Sequence, residues 1–148
     1  MFPKNKKIGI DLDETIASVF EAVLEYTKIL HPRLSHARFE DLTHHDWWKI
    51  DMFEFSRDEA LNCWRTFDKE NILDRKIAPV FLSQEGARLL ISHGYSLYGI
   101  TGRSESSRRE ATEAWINRHF PNIFTSLTFT NHTEPDKRIE KSEVCKNL

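Results

Sequence analysis

No stretch of this chain stays apolar for the length of a membrane-spanning helix, and the apolar run behind Met1–Lys7 is too short for a signal peptide. Cysteine is scarce. Cys63 and Cys145 lie far apart and form no C-x-x-C pair, which argues against a disulfide scaffold and leaves buried or incidental thiols in a reducing cytoplasm as the expectation. The seven histidines do not fall at zinc-ligand spacing, and the adjacent His44–His45 reads as a solvated or capping pair. No Lys/Arg tract interrupts the sequence, and a formal charge of −2 gives no electrostatic reason to expect a nucleic acid polymer as partner. Internal repeats and low-complexity segments are absent too, so a solenoid or a linker-rich architecture is not expected. What remains, at 39% hydrophobic and 30% charged residues, is the composition of a soluble globular protein.

A chain of 148 residues is long enough for one domain with a real core, with room for an inserted subdomain. The run Lys6–Asp13 is a short apolar strand ending in acids. Behind it Val19, Phe20, Val23, Leu24, Thr27 and Leu30 recur at helical spacing, which predicts a helix over about residues 17–30, stopped near Pro32. Residues 33–51 are rich in His, Asp and aromatics with no clean period and read as loop and short helix. Ser56 with Glu59 forms a capping box in front of a helix through Ala60, Leu61, Trp64 and Phe67. Ser83 reads as the cap of a further helix that stops at Gly94. Then follow a strand over 95–100, a helix over about 106–119, a strand over 127–130 and a helix beginning at Lys141.

Strand and helix in alternation make a parallel α/β sheet with right-handed crossovers the economical topology. The segment of about residues 17–79 is too long for an ordinary crossover. It predicts a small helical cap over the C-terminal edge of the sheet, with residues 1–16 and 80–148 as the core.

The acidic end of the first strand carries the chemistry. Residues alternate faces along a strand, so Asp11 and Asp13 point the same way while Leu12 points into the fold. Two carboxylates side by side repel unless a cation or a shared proton compensates, which suggests a Mg²⁺ site or an acid/base couple. Thr15, ahead of the first helix, is available as a simple cap.

The pattern Asp11-x-Asp13-x-Thr15 after a β-branched strand resembles the first motif of the haloacid dehalogenase (HAD) superfamily. Thr101-Gly102-Arg103, at the end of the strand Tyr95–Ile100, looks like the second motif, and Lys141 stands where the third motif's lysine would be. Asp41-Leu42-Thr43, Asp46-Trp47-Trp48, Pro79 with Glu85-Gly86-Ala87, Arg109 with Thr112 and Trp115, and Lys141-Ser142-Glu143-Val144-Cys145 sharpen this. Together they resemble the deoxyribonucleotidase-type branch, the 5′(3′)-nucleotidases and their bacterial relatives, over nearly the whole chain.

The resemblance implies a HAD-like Rossmannoid parallel sheet with a cap inserted after the first strand. It implies a Mg²⁺-dependent phosphomonoesterase acting on a small phosphorylated substrate, a nucleoside or deoxynucleoside monophosphate. Asp11 would attack phosphorus, and Asp13 would protonate the leaving alkoxide and then activate water. Mg²⁺ would be held by Asp11 and the backbone carbonyl of Asp13. Thr101, Gly102 and Lys141 would hold phosphoryl oxygens. Two readings stay open for Arg103, a phosphate or cap contact and a surface residue at a helix start. Two also stay open for Phe20, Trp47, Trp48 and Phe53, base stacking and packing of the cap's own core. Trp64 and Trp115 read as structural.

In one respect the pattern breaks. HAD phosphatases carry a fourth motif, an acidic pair on a strand after the lysine helix, and this chain reaches Leu148 before any such strand. The expectation is a fragment without its last strands; the alternatives are weak Mg²⁺ binding in a complete chain, or an acid lent by a partner. Glu143 is badly placed to replace that acid, and Asp136 stands in a loop that could approach the site. A truncated or degenerate HAD domain that binds a phosphorylated ligand or a protein partner without turnover is therefore the competing function.

Overall fold

The computed structural model describes residues 6–69 and 76–148. They divide into two compact units: the described residues up to Ser18 with Pro79–Leu148, and those of Val19–Ala78.

The first unit is built on a three-stranded parallel sheet in the order β1 (Lys6–Asp11), β2 (Tyr95–Thr101), β3 (Phe124–Phe129). Helix α3 (Ser83–Ser92) precedes β2, α4 (Glu105–His119) links β2 to β3, and α5 (Lys141–Lys146) follows β3. The α/β class and the parallel sheet are those the sequence predicts. Register levels the strand ends: Asp11 pairs with Ile100, and Thr101 with Phe129. Gly99 lets the sheet pack closely, because a Cβ there would meet Leu127 Cδ1 at 2.7 Å and Leu12 Cδ1 at 3.3 Å. Leu12, Leu97, Ile100, Trp115, Phe120 and Phe129 are buried around it.

The boundaries differ from the sequence reading for local reasons. The first helix, α1 (Val19–Leu30), starts two residues late because Ala17 is held in bridges to Asp13 and Pro79. Thr15 is therefore an exposed turn residue, four positions ahead of the helix. Ser83 caps nothing: Leu82, in a left-handed conformation, stands at the cap position, and the buried Ser83 hydroxyl has no hydrogen-bond partner among the described residues. Gly94, at φ 84°, ends α3 as predicted. Strand β3 starts three residues early, at Phe124, which pairs with Leu97 across a register shift that skips Thr125.

The second unit packs α1 against α2 (Arg57–Lys69). The Ser56 capping box is present: Ser56 N–H donates to Glu59 Oε2 at 2.8 Å, and Glu59 N–H donates back to the Ser56 hydroxyl at 3.2 Å. The aperiodic stretch after α1 is four single 3₁₀ turns, Pro32–Leu34, Phe39–Asp41, Trp47–Lys49 and Asp51–Phe53. Of their apolar residues Leu34, Trp47 and Phe53 are buried, while Phe39 and Met52 stay exposed. Trp47 meets Trp64 and Phe53 edge-on, each at 5.6 Å between ring centroids, and Phe53 meets Phe55 at 5.9 Å. No helix of the described residues is long and apolar enough to cross a membrane.

Trp47 is 1% exposed, whereas Trp48 is half-buried with the Arg57 guanidinium 5.6 Å above its ring. Trp47→Ala should therefore cost about 3–5 kcal/mol of unfolding free energy, as for other buried aromatic truncations. Trp48→Ala should cost much less. Urea titrations followed by circular dichroism check the ordering.

Candidate active site

Strand β1 delivers Asp11 at its last residue, and the chain then turns sharply: Leu12 C=O accepts the N–H groups of Thr15, Ile16 and Ala17. Glu14 takes a left-handed conformation, φ 56°, to complete the turn. Leu12 is fully buried, while Asp11 and Asp13 keep 40% and 37% of their side chains exposed, the alternation that the strand predicts. The two carboxylates thus stand at the C-terminal end of a parallel sheet, the usual place for chemistry in this class.

Each carboxylate has a cation of its own. Lys141, the first residue of α5, donates from Nζ to Asp11 Oδ2 at 2.5 Å, and Asp11 Oδ1 accepts the Leu12 N–H at 2.8 Å. Arg103 grips Asp13 with a fork: Nη2 donates to Oδ1 at 2.5 Å, and Nε reaches Oδ1 at 3.1 Å and Oδ2 at 3.4 Å. The two pairs differ in environment. Lys141 is 44% exposed, so water screens its attraction to Asp11. The Arg103 side chain is only 8% exposed and meets Asp13 in the geometry that makes carboxylate pairs strong.

Thr101 ends β2 fully buried; its hydroxyl accepts the Arg103 N–H at 3.2 Å. Its carbonyl accepts two bonds from Thr130, from N–H at 2.8 Å and from the hydroxyl at 3.0 Å. Gly102 C=O accepts the His132 N–H at 2.8 Å. Asp11, Asp13, Thr101, Gly102, Arg103 and Lys141 therefore all belong to the sheet unit, at or next to the C-terminal ends of β1 and β2 or linked to them by these bonds. Phe20 and Trp48 belong to the other unit, where Phe20 packs edge-on against Trp64 at 5.5 Å and His45 at 5.2 Å. Arg109 is spent on the surface of α4, bonded to Glu105 and Glu113 one turn to either side.

The donor set suits a hard cation only in part. Asp11 and Asp13 supply carboxylate oxygens, but among the described residues no group of three or more His, Cys, Asp or Glu side chains is placed to hold a metal. Mg²⁺ tolerates this, since it keeps several waters and is bound through one or two carboxylates plus substrate phosphate.

In the loop after β3 sequence reasoning singled out Asp136 and passed over Asn131 and Glu134. Asn131, at φ 50°, places Oδ1 on the Glu105 N–H at 2.7 Å and so caps α4 from outside the helix. Glu134 accepts hydrogen bonds from the Ser104 and Ser106 hydroxyls and, at 2.8 Å, from Lys137 Nζ. Lys137 first, then the two hydroxyls, hold its carboxyl down to about 2. The signal available was a Ser-x-Ser at a helix start and an Asn-x-x-Glu after a strand, too common to single out. The sign follows from linkage: a carboxyl held below its unfolded value of 4.5 adds stability that is complete above that pH and lost as pH falls from about 4.5 to about 2. Glu134→Gln should thus be less stable than wild type near neutrality and converge on it through that window, read from thermal midpoints at stepped pH.

No family model matches the sequence, and no curated protein matches it. Solved structures do. A HAD-superfamily hydrolase of subfamily IA, variant 1, from Geobacter sulfurreducens superposes with TM-score 0.54 at 19% identity, over 96% of this chain and 72% of that one. A protein assigned as a phosphoglycolate phosphatase from Lactobacillus delbrueckii subsp. bulgaricus gives TM-score 0.59 at 13% identity, over 99% and 73%. One from Clostridium difficile assigned as a phosphatase gives TM-score 0.58 at 18% identity, over 98% and 69%. At such identities the likeness is one of fold, and the fold this chain shares with those structures is the HAD-like α/β fold.

Proposed function

We propose that this chain is a phosphomonoesterase that works through an aspartyl phosphate formed on Asp11. The observation that carries the reading is the arrangement of two carboxylates, two residues apart at a strand end, each held by its own cation. A site for anion chemistry needs a nucleophile, an acid and positive charge together, and these residues supply all three.

In this reading an arriving phosphoryl group gives the Lys141 ammonium a second anionic partner and leaves an Asp11 oxygen free to attack phosphorus in line. The P–O bond to the substrate breaks as the Asp11–phosphorus bond forms, and Asp13 in its protonated form gives its proton to the departing alkoxide. Asp13, now a carboxylate, takes a proton from the water that attacks the aspartyl phosphate. Inorganic phosphate leaves and Asp11 is restored. Lys141, the Thr101 hydroxyl and the Gly102 N–H would hold phosphoryl oxygens, with the remaining donors of Arg103 beside them. Asp11 and the Asp13 backbone carbonyl would hold Mg²⁺, whose charge lets a carboxylate approach a phosphate dianion.

For the substrate we propose a nucleoside or deoxynucleoside monophosphate, recognised through Phe20 and Trp48 of the helical unit, Val19–Ala78. The half-buried Trp48 retains ring surface, unlike Trp47. A second reading, a phosphate-binding domain without turnover, is favoured by one observation: no third carboxylate among the described residues joins the pair.

Phosphate release from p-nitrophenyl phosphate and from a panel of nucleoside monophosphates, with and without Mg²⁺, tests both. Mg²⁺-dependent release that falls by at least about 10³-fold in Asp11→Asn is the expected result. A folded, Mg²⁺-supplied wild type that releases no phosphate would favour the binding domain. Trp48→Ala should raise KM for a nucleotide several-fold more than for the aryl phosphate, and equal changes would remove Trp48 from base recognition.

A further inference from the structure

Arg103 is fixed along its whole length. Its backbone N–H donates to the buried Thr101 hydroxyl at 3.2 Å, and at its tip Nη1 donates to the Thr112 hydroxyl at 3.0 Å. The Nε and Nη2 edge then faces Asp13. Thr112 is 1% exposed and belongs to the buried stripe of α4, with Arg108, Trp115 and Ile116. A hydroxyl in such a stripe is costly unless it is bonded, and its bond here is to Arg103.

We infer that Thr112 is a positioning residue for Asp13, acting through Arg103: the buried hydroxyl sets the plane of the guanidinium, and the guanidinium sets where the Asp13 carboxylate points. This rests on the phosphomonoesterase reading and adds to it the part that aims the acid. Asp13 is more than one-third exposed and lies within the tight turn that follows β1, and the Arg103 fork is what grips its side chain. An acid that must meet a leaving oxygen at hydrogen-bond distance cannot be left to sample rotamers, because small misplacements are expensive in rate. The guanidinium is suited to this as an ammonium is not. Its planar fork transmits an orientation, and with Nη1 pinned to Thr112 that orientation has one value. Three of its five N–H donors are thereby assigned to Thr112 and Asp13, which makes aiming the acid its first task and contact with phosphate secondary.

The test compares Thr112→Val, which keeps shape and removes the hydroxyl, with Thr112→Ser, which restores it. The ratio kcat/KM covers the steps through leaving-group departure, in which Asp13 gives its proton. An alkyl phosphate depends on that proton, and p-nitrophenyl phosphate, whose phenolate leaves readily, depends on it much less. Thr112→Val should lower kcat/KM about tenfold or more for an alkyl phosphate and less than about threefold for the aryl one, with Thr112→Ser close to wild type on both. Equal losses on the two substrates, no loss on either, or failure of serine to rescue would overturn the inference. Crystal structures of wild type and Thr112→Val supply a readout without turnover: the Arg103–Asp13 fork should be broken or rotated in the variant, and an unchanged fork overturns the relay. Loss of activity in Asp11→Asn reports separately on the reading beneath it.

Discussion

Two carboxylates two residues apart at the end of one strand repel, and most of what surrounds them in the sheet unit answers that repulsion. The parallel pairing of β1 with β2 brings Ile100 level with Asp11 and so sets Thr101-Gly102-Arg103 just past the same sheet end. Arg103 then takes Asp13, and Lys141, more than a hundred residues downstream, takes Asp11. Without the pairing in register neither strand end would be more than a turn; with it, each acid meets a cation at 2.5 Å. The two cations do different work because they sit differently. The half-exposed lysine can exchange its partner at little cost, while the buried, forked arginine is held.

The loop after β3 supports this arrangement from the far side. Thr130 closes on the Thr101 carbonyl, His132 on that of Gly102, and Ile139 N–H on Thr130 at 3.0 Å, so the chain leaving β3 continues the hydrogen bonding beyond the strand ends. Asn131 and Glu134 then satisfy the start of α4, the helix that carries Thr112. Backbone polar groups at a sheet end and a helix start must find partners, and this loop serves the Thr101 and Gly102 carbonyls and the Glu105 N–H.

The helical unit follows a different logic. Its four short turns have little repeating backbone structure, and its cohesion comes from aromatic edges meeting at 5–6 Å around Trp47, Trp64 and Phe53. The adjacent tryptophans divide accordingly: one completes that core, and the other lies on its margin beneath an arginine. Burial rather than residue type separates a structural ring from one available to a ligand.

The sequence by itself determined the alternation of strands and helices, the parallel sheet, the two acids on one side of β1 and the capping box at Ser56, because each of these is set by neighbours within a few residues: side-chain alternation, helical period, a hydroxyl three positions from a carboxylate. Thr101, Arg103 and Lys141 were legible only through the resemblance of their segments to the HAD motifs, not through a local physical signal. Where local signals met a tertiary bond, the bond prevailed. Ala17 is drawn into bridges and shortens α1, Leu82 rather than Ser83 heads α3, and Phe124 joins β3 across a bulge. Only the tertiary structure decided which cation holds which carboxylate, that Thr112 is bonded to Arg103, and that Asn131 caps a helix it does not belong to. Those choices join residues 9, 90 and 130 positions apart or meet across a loop, and they depend on the packing of helix against sheet, which no local pattern encodes.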